Sequence, residues 1–341
     1  MWSLKQGSTH FIINIHTSNN SHKCKNNNNK IRAVLYMAVT KENIRFYARG
    51  LQVTGILNIP EGAEEKKQNP SIVCVHPGSS CKDQTAGLYA EKLAEQGYVT
   101  LAFDASYQGE SEGTPRYIEE PAARVEDIRS AVDYLTTLPY IDEERIGVLG
   151  VCAGGGYAVN AAMTERRIKA VGTVVGANIG RLNRESNPIG VLEAIGKQRT
   201  AEVRGAEEMI TNWIPKNQEE LVAAGMTDID IVEAVEYYTT PRGQSVNSPN
   251  KLNFTSMGSV IGFDAFHLAD TLLTQPLQII VGSKQGAFGS YKDGHELYEK
   301  AASEKKDLLV VEGVSHYDLY DQPEPVRIAV EKLTSFYKEH L

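Results

Sequence analysis

From residue 42 onward the chain switches between two hydrophobic periods. "ENIRFYARG" and "LQVTGILNIP" alternate apolar and polar positions on either side of Gly50, the pattern of two antiparallel strands joined by a tight turn. "PSIVCVHPG" (70–78) and "YVTLAFDAS" (98–106) are instead continuously apolar, as strands covered on both faces must be. Between them, residues 84–96 repeat apolar side chains at helical spacing and stop at Gly97. "PAARVEDIRSAVDYLTTLP" (121–139) carries proline in its first turn and stops before Pro139, which predicts a second helix. "RIGVLGVC" (145–152) reads as another buried strand, followed by a helix from Ala153 and the strand-like "IKAVGTVVGANI" (168–179).

The same exchange returns late in the chain. "PLQIIVGS" (276–283) and "DLLVVEGV" (307–314) predict strands, a helix starts around Tyr291 to Asp293 between them, and a last helix runs from about Glu324. Strands and helices in regular exchange predict an α/β protein, a mostly parallel doubly wound sheet covered on both faces, with the leading hairpin as an antiparallel edge. Residues 182–270 break the exchange. Helical patterns over 191–210, 217–225 and 228–240 precede the loop-like "PRGQSVNSPNKLNF". An insertion of this length between two strands predicts a helical cap over a site at the sheet edge. The alternative is a helical arm that forms a homodimer. The expected organisation is an extension over 1–36, a core in two parts (37–181 and 271–341), and the cap over 182–270.

Composition changes this picture mainly by exclusion. With 41% hydrophobic and 23% charged residues, 341 positions are enough for a large core. A formal charge of -8 without a basic stripe argues against nucleic acid or an anionic membrane as partner. No apolar run approaches the roughly 20 residues that span a bilayer. The four cysteines, at 24, 74, 81 and 152, lack zinc or disulfide spacing, which points to a reducing, cytoplasmic setting. "THFIINIH" is short and lacks a small-residue cleavage site, so it reads poorly as a signal peptide. The Asn-rich "TSNNSHKCKNNNNK" is too polar to bury apolar surface, so residues 1–36 are expected to be a disordered, dispensable extension. Neither a metal-ligand cluster nor a phosphate loop is present in the sequence, so no cofactor and no metal is implied.

The candidate chemistry centres on "RIGVLGVCAGGGYAVNAAM". Gly150 and Gly154 flank Cys152 at the junction of a strand and a helix, as a nucleophile elbow requires. The helix from Ala153 aims its N-terminus at the sulfur and is expected to lower the thiol pKa. His316, just past the last predicted strand, is the expected base. His76 reads as a loop-orienting residue. The backbone N–H of Ala153 is one expected oxyanion donor, and the other is Gly78, because Pro77 has no N–H. An acid that orients His316 belongs in the loop after "PLQIIVGS", but Gln285 and Gly286 stand there; Asp293 is the first carboxylate available, with Glu296 behind it. A thiolate is nucleophilic without a strong relay, so a Cys–His pair can work with a weakly oriented imidazole.

These residues resemble the α/β-hydrolase superfamily from about residue 42 to the end. "GVCAGGG" with the late "SHYDLYD" is similar to cysteine-containing members related to dienelactone hydrolases. "FDASYQGESEG", "RVEDIRSAVDYL" and "FDAFHLADTLL" are similar to a bacterial and fungal group that includes polyketide transferases. The resemblance implies ester, lactone or thioester chemistry on a small-molecule acyl substrate through an acyl-cysteine, with Cys152 and His316 carried over and the family's aspartate missing. Water as acceptor makes the protein a hydrolase, an alcohol or amine makes it an acyltransferase. A peptidase of the same fold is a further enzyme reading. A binding or redox-sensing protein, in which Cys81 approaches Cys152, is the reading from another class.

Overall fold

The computed structural model describes residues 37–65 and 68–341, so the expected extension over 1–36 lies outside the described residues. Strands β1 (Val39–Ala48) and β2 (Leu51–Pro60) pair antiparallel across Arg49 and Gly50, both at positive φ, the backbone that a tight hairpin turn demands. The regular exchange then follows: β3 (Asn69–Val75), α1 (Thr85–Ala94), β4 (Val99–Phe103), α2 (Pro121–Thr136), β5 (Ile141–Val151), α3 (Ala153–Thr164) and β6 (Ile168–Val174).

An insertion follows β6. It contains α4 (Ile179–Arg184), α5 (Pro188–Val203), β7 (Ile210–Thr211), α6 (Gln218–Ala223), α7 (Ile229–Thr239), β8 (Leu252–Asn253), α8 (Met257–Gly262) and α9 (Ala269–Leu272). The chain closes with β9 (Leu277–Gly282), α10 (Ser290–Lys300), β10 (Lys306–Val311), α11 (Asp318–Asp321) and α12 (Pro323–His340). Eight strands form one sheet in the order β1-β2-β4-β3-β5-β6-β9-β10. β2 runs antiparallel to both neighbours, and the other pairs are parallel. Among the described residues, no helix is long and apolar enough to cross a membrane.

The continuous apolar runs mark strands that serve two cores at once. In β3, Val73 and Val75 join the cluster under α2, α3 and α10, whereas Ile72 and Cys74 join the cluster under α1 and α12. That is the two-residue period of a strand read on both faces. Each such buried aliphatic side chain contributes about 1.5–3 kcal/mol relative to exposure.

The insertion departs from the sequence reading in more than one place. The helical pattern over 191–210 ends at Val203, because Gly205 adopts a φ of 99° that no helix continues through. Ile210–Thr211 then pairs with Leu252–Asn253 inside the segment expected to be loop. Helix starts in the insertion are fixed locally. Asn178, Asn187, Asn217 and Asp228 each accept a backbone N–H at the start of α4, α5, α6 and α7. Caps of this kind are worth about 0.5–2 kcal/mol each.

Candidate active site

β5 stops at Val151 and α3 starts at Ala153, which leaves Cys152 alone on the turn with φ 53° and ψ −126°. A side chain in that region costs on the order of 1–3 kcal/mol and persists only when its surroundings hold it. Here the Cys152 N–H donates to Val174 O at 3.1 Å, and the Cys152 carbonyl accepts from Gly155 (2.8 Å) and Ala177 (2.9 Å). The flanking glycines let the backbones close in. A Cβ at Gly150 would collide with the Gly154 carbonyl, and one at Gly154 would collide with the carbonyl of Val75.

The thiol opens onto a cavity of about 180 Å³ above the C-terminal ends of the parallel strands. Contacts with the Tyr320 hydroxyl and the Ala153 N–H favour its thiolate form. The helix N-terminus does not make it acidic, contrary to the sequence expectation. Burial pushes the thiol up to about 11; Tyr320 and Ala153 oppose the rise, and Asp230 and Asp293 reinforce it. At neutral pH the resting group is therefore S–H. Iodoacetamide labelling of Cys152 should accelerate roughly tenfold per pH unit between pH 7 and 10. A rate that is already flat below pH 8 would show that a thiolate is present at rest.

His316 lies in the turn after β10, buried, with Nδ1 3.0 Å from Ser290 Oγ and Nε2 3.3 Å from the Tyr320 hydroxyl. Burial pulls its pKa down to about 3, so the ring is neutral. Both partners are hydroxyls, which donate or accept, so either neutral tautomer satisfies them; proton transfer from Tyr320 needs the one with Nδ1–H toward Ser290 and Nε2 facing Tyr320. Among the described residues, no hydrogen bond joins Cys152 to His316 directly; the Tyr320 phenol bonds to both.

Asp293 does not take the place expected for the acid. It is fully buried in the first turn of α10, with Oδ1 2.6 Å from Arg181 Nε and Oδ2 2.8 Å from both Arg181 Nη2 and the Asn178 N–H. An arginine from α4 thus engages both carboxylate oxygens. Neither Asp293 nor Glu296 hydrogen-bonds His316 among the described residues, and Ser290 occupies the imidazole's Nδ1 side instead. Sequence reasoning missed Ser290 and Tyr320. A serine opening a helix reads as an ordinary helix start. Tyr320 had one weak signal, its spacing of four residues from His316, which places both on one side of a helical turn.

Gly78 and Ala153 line the cavity together with Cys152. A Cβ built on Gly78 would sit 3.7 Å from the Ala153 Cβ, so the two segments are in contact, and the Gly78 N–H donates to no protein acceptor among the described residues. His76 lies behind this loop: its Nδ1 is 2.6 Å from Pro77 O, its Nε2 accepts the Ala105 N–H at 3.1 Å, and Arg124 packs against the same ring. Cys81 is a free thiol bonded to Ser245 Oγ at 3.5 Å and is not part of the cavity lining.

One further carboxyl is buried nearby. Asp230, in the first turn of α7, accepts the Phe288 N–H at 2.8 Å on Oδ2, while its Oδ1 has no hydrogen-bond partner among the described residues. Burial raises this carboxyl to about 6. It fills the space beside Gly286, where any Cβ would strike it. The insertion therefore places a carboxyl against the very loop in which the sequence lacks one. Among the described residues, no cluster of His, Cys, Asp or Glu is arranged to hold a metal.

A parallel sheet with one antiparallel edge, a cysteine on a strained strand-to-helix turn and a histidine after the last strand define an α/β hydrolase. Structural comparison agrees: the crystal structure of PA2218 from Pseudomonas aeruginosa matches with a TM-score of 0.80 at 30% identity, over 94% of this chain and 100% of that one. The chain belongs to the dienelactone hydrolase family, whose sequence model matches residues 53–239. It is 42% identical over 299 residues to the uncharacterized protein YcjY of Escherichia coli K12, covering 85% of this chain and 95% of that protein. It is also 34% identical over 122 residues to thiohydrolase aneE of Aspergillus aculeatus, 36% of this chain and 37% of that one.

Proposed function

We propose that the protein hydrolyses a small carboxylic ester, lactone or thioester through an acyl-cysteine on Cys152, with the insertion acting as a cap that selects substrate and acceptor. The observation that carries this reading is the series Cys152 thiol, Tyr320 hydroxyl, His316 Nε2, in which Cys152 and Tyr320 line a cavity together with Gly78 and Ala153 and His316 stands behind Tyr320. The name of the relative aneE supports thioester cleavage.

The resting pair is a neutral thiol and a neutral imidazole, so proton transfer must accompany attack. As the sulfur closes on the substrate carbonyl, the S–H proton passes to the Tyr320 oxygen while the Tyr320 proton passes to His316 Nε2. Negative charge then develops on the carbonyl oxygen, where Ala153 and Gly78 donate hydrogen bonds. Ser290 accepts from Nδ1–H throughout and keeps the imidazolium oriented. Collapse expels the alcohol or thiol, which recovers the proton from His316. Water adds to the acyl-cysteine by the same route in reverse, giving the acid and restoring the thiol.

General acid–base groups of this kind typically contribute about 100- to 10,000-fold. His316→Ala is expected to fall in that range, and Tyr320→Phe near its lower end, each measured as the rate of acyl-adduct formation by intact mass after mixing with a short activated ester. Tyr320→Phe should also shift the pH profile of acylation upward, since it removes a hydrogen bond that lowers the thiol pKa. A Tyr320→Phe enzyme with an unchanged profile would remove the phenol from the mechanism. Decay of the adduct in water, compared with decay in added alcohol or amine, separates hydrolysis from acyl transfer.

A further inference from the structure

We infer that the acyl group accepted by this site is uncharged and apolar, about the size of a single aromatic ring; this rests on the acyl-cysteine reading above. The cavity lining includes the apolar side chains Ile179, Leu182, Trp213, Ile214 and Phe288. Among the described residues, no Lys, Arg, Asp, Glu or His lines the cavity.

Three of the polar side chains that line it are occupied with the protein, and the Ser79, Tyr238 and Tyr317 hydroxyls and the Trp213 indole line it as well. Ser248 Oγ donates to Ser79 O at 2.6 Å. Asn250 Oδ1 accepts from the N–H groups of Trp213 (3.0 Å) and Ile214 (3.1 Å), and its Nδ2 donates to Ile214 O at 2.9 Å. Asn183 Nδ2 donates to Ile179 O at 2.8 Å. The Ala153 and Gly78 N–H groups and the Tyr320 hydroxyl lie at the reacting end, beside the sulfur. A polar substrate carbonyl is served there, and the rest of the acyl group meets a mostly apolar wall with neutral polar groups and no charged side chain among the described residues.

A charge on that distal part would lose its water and gain no partner. For an anion the field makes this worse, because Asp230 and Asp293 already disfavour negative charge at Cys152. Size follows from the volume. An apolar cavity of roughly 150 Å³ accommodates benzene, and this one is about 180 Å³.

The test compares thioesters that share one leaving thiol, using adduct formation on Cys152 by intact mass as the readout. Benzoyl and hexanoyl thioesters should acylate at least about 100-fold faster than adipoyl and 6-aminohexanoyl thioesters, which keep the chain length and add one charge. In Leu182→Arg, which places a cation in a half-buried wall position, adipoyl transfer should gain at least tenfold relative to hexanoyl. Adipoyl or aminohexanoyl acylating as fast as hexanoyl in the wild type would overturn the inference and leave the acyl-cysteine reading standing. Folded wild-type protein that takes no acyl group from any of the four would overturn both.

Discussion

Cys152→Ala should carry no acyl adduct and should lose at least about 10,000-fold in turnover, because no other group can form the covalent bond that divides the reaction. The replacement is conservative for the fold. Alanine keeps the Cβ that the backbone at φ 53° already tolerates, and removes only a sulfur that faces the cavity. A thermal melt close to wild type would therefore accompany the lost activity. Cys152→Ser is the sharper comparison. An alcohol needs more help from its base than a thiol does, and here the base is a buried imidazole whose Nδ1 side meets a neutral serine rather than a carboxylate. Serine should retain less than about 1% of the activity. Wild-type turnover in Cys152→Ala would eliminate covalent catalysis at this residue.

Arg181→Met is expected to be the most damaging single change for stability. Arg181 supplies two hydrogen bonds to the fully buried Asp293 carboxylate and a third, at 2.9 Å, to Phe288 O. Without it the carboxylate keeps, among the described residues, only the Asn178 N–H. Breaking a buried pair from one side costs about 3–5 kcal/mol, a large share of a total that is typically about 5–15 kcal/mol. The loss should depend on pH. Burial already raises the Asp293 carboxyl with Arg181 present, and without the arginine it rises further. The folded variant then holds a proton that the unfolded chain releases above its ordinary carboxyl pKa, so its deficit grows as pH increases through that window. Urea melts at pH 5 and pH 8 should show the larger gap at pH 8. Arg181→Met combined with Asp293→Leu should recover most of the loss, because no charge is then left unpaired. A deficit below 1 kcal/mol at both pH values would show that the pair does not hold the insertion to the core.

How much of this was legible in the sequence depends on the range of the interaction. The strands, the helices and the turn at Cys152 follow from local periodicity and from glycines that steric crowding requires, so the chain announces them. The position of His316 after the last strand follows from the same rhythm. Asp293 shows the limit. Its order after β9 suggested an acid for the histidine, but its partner is an arginine from the insertion, and nothing near Asp293 in the chain reveals which cation will reach it first. Ser290 and Tyr320 are hidden for a related reason: their importance lies in where two hydroxyl groups point, which depends on packed side chains from several elements. The thiol pKa went the wrong way in the sequence reading because helix-terminus electrostatics can be anticipated from a pattern, whereas depth of burial cannot. The pairing of β7 with β8 joins two dipeptides too short to carry a periodic signal of their own.

The contact between Asp230 and Gly286 has a consequence for how such proteins can be recombined. The insertion looks like a separable module, since the chain leaves the sheet after β6 and rejoins it at β9. Yet the carboxyl of α7 fills a notch that exists only because residue 286 has no side chain. Transplanting the insertion onto a related scaffold with an aspartate at that loop position would crowd two buried acids into one space. A working chimera has to inherit residues 230 and 286 together, so the crossover points that look natural along the chain are not the ones that the packing allows.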